Sequence, residues 1–242
     1  MGQYTALNIQ GRILLGPGPS IVPPTVLHAL AHPLVGHLDP QFLDLMNEVQ
    51  ELLRYVFQTE NPLTIPVSGT GSAGMEAALC NLIEEDDSVL VCVNGYCSTR
   101  MFEIAGRYTS EARRLDRTWG TVFTPEDIDQ ALTEQPAKIV ALVHIETSTG
   151  TCQPMDGIAE VVHRHGAVLV LDCVASLGGE PVCVDEWDVD LAHGATQKCL
   201  SCPPGLAPLT VGRSRCNVFP LRAISFIIAG TPPARCTSCM CH

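Results

Sequence analysis

Three stretches of the chain carry residue types that can do chemistry. The first, Ser68-Gly69-Thr70-Gly71-Ser72-Ala73-Gly74-Met75-Glu76, is a glycine-rich loop running into a helical pattern. Glycines let a backbone approach an anion closely, and the free N–H groups and dipole of a helix N-terminus favour negative charge. No Gly-Lys-Ser/Thr follows and the dinucleotide spacing is absent, so the loop is a general phosphate cup or a plain tight turn. The second is Asp172, directly after the apolar run Ala167 to Leu171. A carboxylate ending a buried strand is unfavourable unless it meets a cation or hydrogen-bond donors. A protonated pyridine nitrogen is one such cation; capping of the next turn is the alternative. The third is Gln197-Lys198, in which Lys198 is the only lysine after Lys138 and has largely uncharged neighbours. A less solvated lysine keeps more of its amine in the nucleophilic form, which suits condensation with an aldehyde. An ordinary surface lysine would look the same.

The surrounding pattern supplies elements to position these residues. Ser88 to Val93, Lys138 to His144 and Ala167 to Leu171 read as strands without polar alternation, as expected of a parallel sheet covered on both faces. Between them lie helix candidates at Ala73 to Ile83, Arg100 to Arg107, Pro125 to Thr133 and Asp156 to His165. Pro40 to Phe57 has apolar residues at the three-and-four spacing of an amphipathic helix. Thr124 before Pro125, Glu126 and Asp127 is a helix start. Alternating strands and helices imply an α/β sheet with right-handed crossovers and a ligand site at the C-terminal strand ends.

Composition narrows the partners. A chain of 242 residues with 46% hydrophobic and 17% charged residues is globular. A net charge of −12 argues against a nucleic-acid partner. No apolar run approaches the roughly 20 residues of a membrane helix. The N-terminus lacks a secretory pattern, so the cytoplasm is the expected location and the twelve cysteines are not read as disulfides. Cys80, Cys92, Cys173 and Cys183 sit in or beside apolar stretches and read as small buried hydrophobes. No acidic residue follows Asp190, and the text from Arg213 onward loses its periodicity. Its end, Cys236-x-x-Cys239-x-Cys241-His242, is superficially zinc-like. A structural site gathers ligands from separated elements, so no metal is expected.

Taken in order, several stretches resemble the class V aminotransferases, and within them the alanine–glyoxylate and serine–glyoxylate (serine–pyruvate) group. They are Gly16-Pro17-Gly18-Pro19-Ser20, Gly36-His37-Leu38-Asp39-Pro40, Ser68 to Glu76, Glu146-Thr147-Ser148-Thr149-Gly150, Asp172 to Gly179, and Gln197-Lys198 followed by Pro203-Pro204-Gly205. The resemblance covers roughly residues 10 to 212. It implies the type I fold of pyridoxal-phosphate (PLP) enzymes, with residues 1–212 as the large cofactor-binding domain. Residues 213–242 would be an atypical cysteine-rich tail rather than a domain, and a small C-terminal domain would be missing.

The resemblance also implies roles. Lys198 would hold the cofactor as a Schiff base and shuttle the substrate proton, and Asp172 would pair with the pyridine nitrogen. Val174 would pack on one ring face, with an aromatic expected opposite, at the position of Cys97. Thr70, Gly71 and Ser72 would hold the phosphate with Gln197 assisting, and Thr147 would lie near the ring's phenolic oxygen. The implied reaction is amino transfer from alanine or serine to glyoxylate or pyruvate, in a homodimer. Two alternatives stay open. One is a cofactor-binding remnant without a substrate-carboxylate site. The other is a related reaction such as sulfur removal from cysteine, for which Cys97 or Cys202 would have to react.

Overall fold

The structure, a computed structural model, describes residues 9–212. A short helix α1 (Pro24–Ala29) and a long helix α2 (Pro40–Phe57) come first. The Asp39 side chain accepts from the Gln41 N–H to start α2, and Gln58 ends it in the left-handed conformation. Then follow β1 (Leu63–Gly69), α3 (Gly71–Leu82), β2 (Val89–Val93), α4 (Tyr96–Ala105), β3 (Ala112–Asp116), α5 (Pro125–Glu134) and β4 (Ile139–Val143). A two-stranded ribbon, β5 (Ile145–Glu146) with β6 (Thr151–Cys152), leads to α6 (Ile158–Arg164), β7 (Val168–Asp172), β8 (Leu191–His193) and β9 (Gly205–Val211).

Seven strands form one sheet in the order β1-β9-β8-β7-β4-β2-β3. Only β9 runs against the others, pairing antiparallel with both β1 and β8. The sheet is therefore mostly parallel, with helices on both faces. Every residue of β2, β4 and β7 is buried. Side chains alternate across a strand, so each of these strands feeds two cores. Ile139, Ala141, Val168 and Val170 face Leu79, Met101 and Ile104 of α3 and α4. Val140, Leu142, Leu169 and Leu171 face Ile128, Leu132, Ile158 and Val162 of α5 and α6. Full burial of each such side chain stabilises by about 1.5–3 kcal/mol, which is why no polar alternation is tolerated here.

Local signals set the helix starts. Thr124 and Asp127 exchange side-chain-to-backbone bonds as a capping box on α5, with Pro125 in the first turn. Helix α4 begins at Tyr96, four residues ahead of the expected start at Arg100, and α3 begins at Gly71 inside the glycine-rich loop. Strand β7 includes Asp172 rather than stopping before it. Among the four cysteines expected to be buried, Cys92 and Cys173 are buried while Cys80 and Cys183 are only half-buried. Cys236, Cys239, Cys241 and His242, with the rest of the tail, lie outside the described residues. Among the described residues no group of three metal-ligating side chains converges, and no helix is long and apolar enough to cross a membrane.

Candidate active site

Parallel strands aim their C-terminal ends at one edge of the sheet, and the loops leaving β1, β2, β4, β7 and β8 meet there. They enclose a cavity of about 360 Å³ lined by Thr70, Gly71, Ser72, Thr147, Asp172, Val174, Gln197 and Lys198. The structure thus brings together all eight of the site residues expected from sequence. A larger groove of about 1090 Å³ lies between α2 and the Gly178–Pro181 turn. It holds none of those eight.

One wall of the cavity is the start of α3. Gly69 has φ +139°, which glycine adopts readily, and Thr70 precedes the first helical turn. The Thr70 side chain makes no capping bond, and the N–H groups of Gly71 and Ser72 have no acceptor among the described residues. Such N–H groups need an external acceptor, and the helix dipole favours an anionic one. Gly71 also permits close packing: a Cβ there would lie 3.0 Å from Val174 Cγ2 and 3.1 Å from Ala195 Cβ.

Also lining the cavity, Asp172 is 3% exposed. Its Oδ1 accepts from the Val174 N–H at 2.7 Å. Burial pushes its carboxyl above the ordinary range, offset in part by His193, the Val174 N–H and Lys198. A cation placed against it would relieve that burial. Lys198 projects from the turn after β8, and its Nζ donates to the Pro17 carbonyl at 2.6 Å. Ser20 fixes the same turn, donating its Oγ–H to the Lys198 carbonyl at 2.7 Å and its N–H to the Gln197 carbonyl at 2.9 Å. The Gln197 Oε1 is buried without a hydrogen-bond partner among the described residues. The chain's other lysine, Lys138, is paired with Asp87 at 2.6 Å.

Sequence reasoning missed the support of the cavity wall. Glu146 is fully buried, and its carboxylate accepts from the N–H groups of Cys97, Ser98 and Ser148 and from the hydroxyls of Ser98 and Ser148. Burial alone would raise its carboxyl; the Ser148 hydroxyl and the N–H groups of Ser98, Cys97 and Ser148 outweigh it and hold the group below the ordinary range. Glu146 thus caps α4 from strand β5 and fixes Cys97 at the cavity, while the Tyr96 N–H donates to Ser148 Oγ. An acidic residue after a strand was the only available signal. Cys97 occupies the wall where an aromatic was expected, and the neighbouring Tyr96 is 65% exposed. Burial, Glu146 and Asp172 push the Cys97 thiol up to about 11. Arg100, one turn further along α4, is a second unanticipated lining residue.

A mostly parallel α/β sheet that gathers unpaired helix N–H groups, a buried carboxylate and a lysine at the C-terminal ends of its strands defines the open α/β class with its site at that edge. The sequence matches the family Aminotransferase class-V over residues 14–224, and the chain belongs to that family. It is 44% identical over 211 residues to the (S)-ureidoglycine–glyoxylate transaminase of Bacillus subtilis, covering 87% of this chain and 51% of that protein. It is 41% identical over 201 residues to the alanine–glyoxylate aminotransferase of Mus musculus, covering 83% and 49%. The crystal structure of an alanine–glyoxylate aminotransferase from Nostoc sp. superposes with a TM-score of 0.86 at 46% identity, covering 97% of this chain and 60% of that one. The chain spans about half the length of the curated relatives it matches.

Proposed function

We propose that this chain supplies the cofactor-holding site of a PLP-dependent transaminase that uses glyoxylate or pyruvate as amino acceptor and alanine or serine as donor. The observation that carries the reading is the convergence of Lys198, Asp172 and the α3 N-terminus on one cavity. The residues fit the cofactor. The unpaired N–H groups of Gly71 and Ser72 suit a phosphate, with Thr70 and Gln197 alongside. Asp172 suits a protonated pyridine nitrogen, Val174 offers an apolar surface for a ring, and Thr147 offers a hydroxyl. When bound, PLP supplies an aldehyde and an electron sink for the charge that develops at the substrate Cα.

The protein's own residues would then act as follows. Lys198 would hold the cofactor through its amine and would carry a proton to and from the substrate Cα. Asp172 would pair with the ring nitrogen and favour its protonated form. Glu146 holds Cys97 in place through α4 and keeps that wall from opening to water. The glyoxylate acceptor is supported by the names of the related transaminases from Bacillus subtilis and Mus musculus. Sulfur removal is disfavoured, because a thiol raised as far as that of Cys97 is a poor nucleophile. A homodimer is also proposed. Its support is the apolar side of α2, where Leu45, Leu52 and Tyr55 are exposed.

The test is the visible absorption of the purified protein mixed with PLP, before and after adding alanine or serine and then glyoxylate. A cofactor band that requires Lys198, bleaches with the donor and returns with the acceptor is the expected result. A band that forms equally in Lys198→Ala sinks the reading. A Lys198-dependent band that no donor bleaches would leave a cofactor-binding protein without transamination.

A further inference from the structure

His193 is the residue the proposed chemistry leaves without a task. It ends β8 and is fully buried, yet neither ring nitrogen has a hydrogen-bond partner among the described residues. A buried polar group left unpaired is unfavourable, and an apolar side chain of similar size would fill the space without that penalty. Space-filling alone therefore does not account for an imidazole here.

Register shows what it faces. In the parallel pairing of β7 and β8, Asp172 lies directly opposite His193, so both side chains project from the same face of the sheet, toward α3. The imidazole Nε2 is 3.9 Å from Asp172 Oδ2, beyond hydrogen-bond distance but about 1 Å from making one. The backbone holds the two together, since the Cys173 N–H donates to the His193 carbonyl at 2.7 Å. On its other side the ring lies beside α3, where a Cβ added at Gly74 would come 3.6 Å from Nδ1, ordinary van der Waals contact. Asp172 Oδ2 is the acceptor that the ring's unpaired Nε2 faces. Asp172 Oδ1 is already tied to the Val174 N–H, so a donor on Oδ2 would fix the plane of the carboxylate.

We infer that His193 is a positioning residue for the proposed reaction, donating Nε2–H to Asp172 Oδ2 so that the carboxylate is held ionised and oriented toward the cofactor's ring nitrogen. The inference rests on the PLP reading above. The uncharged ring suffices, because burial lowers the imidazole's proton affinity despite the neighbouring Asp172. A carboxylate favours the tautomer with its proton on Nε2.

The test compares His193→Phe, His193→Gln and His193→Asn in the full-length protein. Glutamine places its amide nitrogen near the Nε2 position, and asparagine near Nδ1. The readouts are PLP affinity by equilibrium titration and the wavelength of the cofactor's visible band. Loss of one hydrogen bond to a charged group predicts roughly tenfold weaker binding and a displaced band for Phe and Asn, with Gln close to the parent. Asp172→Asn supplies a second arm: once the carboxylate is gone, His193→Phe should add no further loss.

Three equally impaired variants would mean that only the shape of the imidazole matters and would overturn the inference, as would three unimpaired ones. Full additivity with Asp172→Asn would overturn it too. If a His193 variant failed to fold, the comparison of the remaining variants with the Asp172→Asn protein would still decide. A parent protein that binds no PLP defeats the functional reading along with this one. Binding by the parent without any His193 effect defeats this one alone.

Discussion

The side chain of Glu146 occupies the space in which a Cβ on residue 95 would sit, so Gly95 is a glycine because Glu146 lies against it. The relation couples two motifs some fifty residues apart in sequence. Asn94-Gly95 opens α4, and Glu146 brings the carboxylate that receives the N–H groups of that helix's first turn. Any side chain at position 95 would push the carboxylate off its five donors. Gly95→Ala is therefore expected to destabilise the protein and weaken PLP binding together, as seen by thermal unfolding and cofactor titration. A variant that binds PLP like the parent would contradict this account.

The same carboxylate gives a pH dependence with a defined sign. The folded protein holds Glu146 below its ordinary value, so its contribution is complete above that value and is lost as pH falls through it toward the folded one. Glu146→Gln leaves buried donors facing an amide and should cost about 2–3 kcal/mol at neutral pH. Denaturant unfolding of parent and variant at pH 7 and pH 4 would show the gap narrowing at the lower pH. A gap that stays constant or widens would remove the carboxylate from the explanation.

How far the sequence discloses this arrangement depends on where each element lies. The central strands β2, β4 and β7 are legible because burial on both faces leaves only apolar residues in them. Strands β1 and β3 are not, since they form the two edges of the sheet; one contains Pro66, and the other reads Ala112-Arg113-Arg114-Leu115-Asp116. The three residues of β8 are too few for a pattern, and β9 carries Pro208, whose carbonyl accepts from the Gly194 N–H. The residues that would touch a cofactor are legible as a set through their types and their order along the chain, a glycine-rich loop, an acid ending an apolar run and an isolated lysine. Glu146 and His193 are not. Their parts depend on which loop or strand lies beside them, and no spacing along one chain contains that information.

Gly74 sits in α3 directly over β9, where a Cβ would come within 2.8 Å of Ala207 Cβ. Two effects oppose each other in Gly74→Ala. Helix propensity favours alanine by about 1 kcal/mol, while overpacking against a strand costs about 1–3 kcal/mol. Ala207 is fully buried and its Cβ is fixed by the backbone, so the overlap should win. Net destabilisation by denaturant unfolding is the expected result; a more stable variant would show that α3 can lift from the sheet.

Cys97 faces the cavity, but its raised thiol should make it slow to react. Only the thiolate is nucleophilic, so at pH 8 its alkylation should be on the order of a hundredfold slower than that of an ordinary free thiol. Timed iodoacetamide labelling with peptide mass analysis measures this. Labelling at the rate of a free thiol would restore the sulfur-transfer reading.

Leu45 and Leu52 are seven residues apart on α2, hence on one side of it, and both are more than half exposed. Charges there should be tolerated by the fold and opposed by a subunit interface. The Leu45→Glu, Leu52→Glu pair should halve the mass seen by light scattering with little change in the far-ultraviolet spectrum. A parent protein that is already monomeric, or a variant that stays dimeric, would place the interface elsewhere or abolish it.

Gly18 tests the loop that holds the Lys198 amine. Its φ is +126°, and a Cβ there would fall 2.6 Å from Lys198 Cδ and 2.7 Å from Nζ. In Gly18→Ala the strained backbone costs about 1–2 kcal/mol. The clash itself falls on the far end of a flexible side chain, so the lysine should move before the fold does. That movement breaks the bond from Nζ to the Pro17 carbonyl and turns the amine away from the cavity. The expected signature is a protein whose melting temperature falls by about 2–8 °C and whose Lys198-dependent PLP band forms slowly and incompletely, while affinity for inorganic phosphate, read by competition, is unchanged. Equal loss of both would mean that the loop organises the whole cavity; no loss would mean that Lys198 finds the cofactor without being held by Pro17.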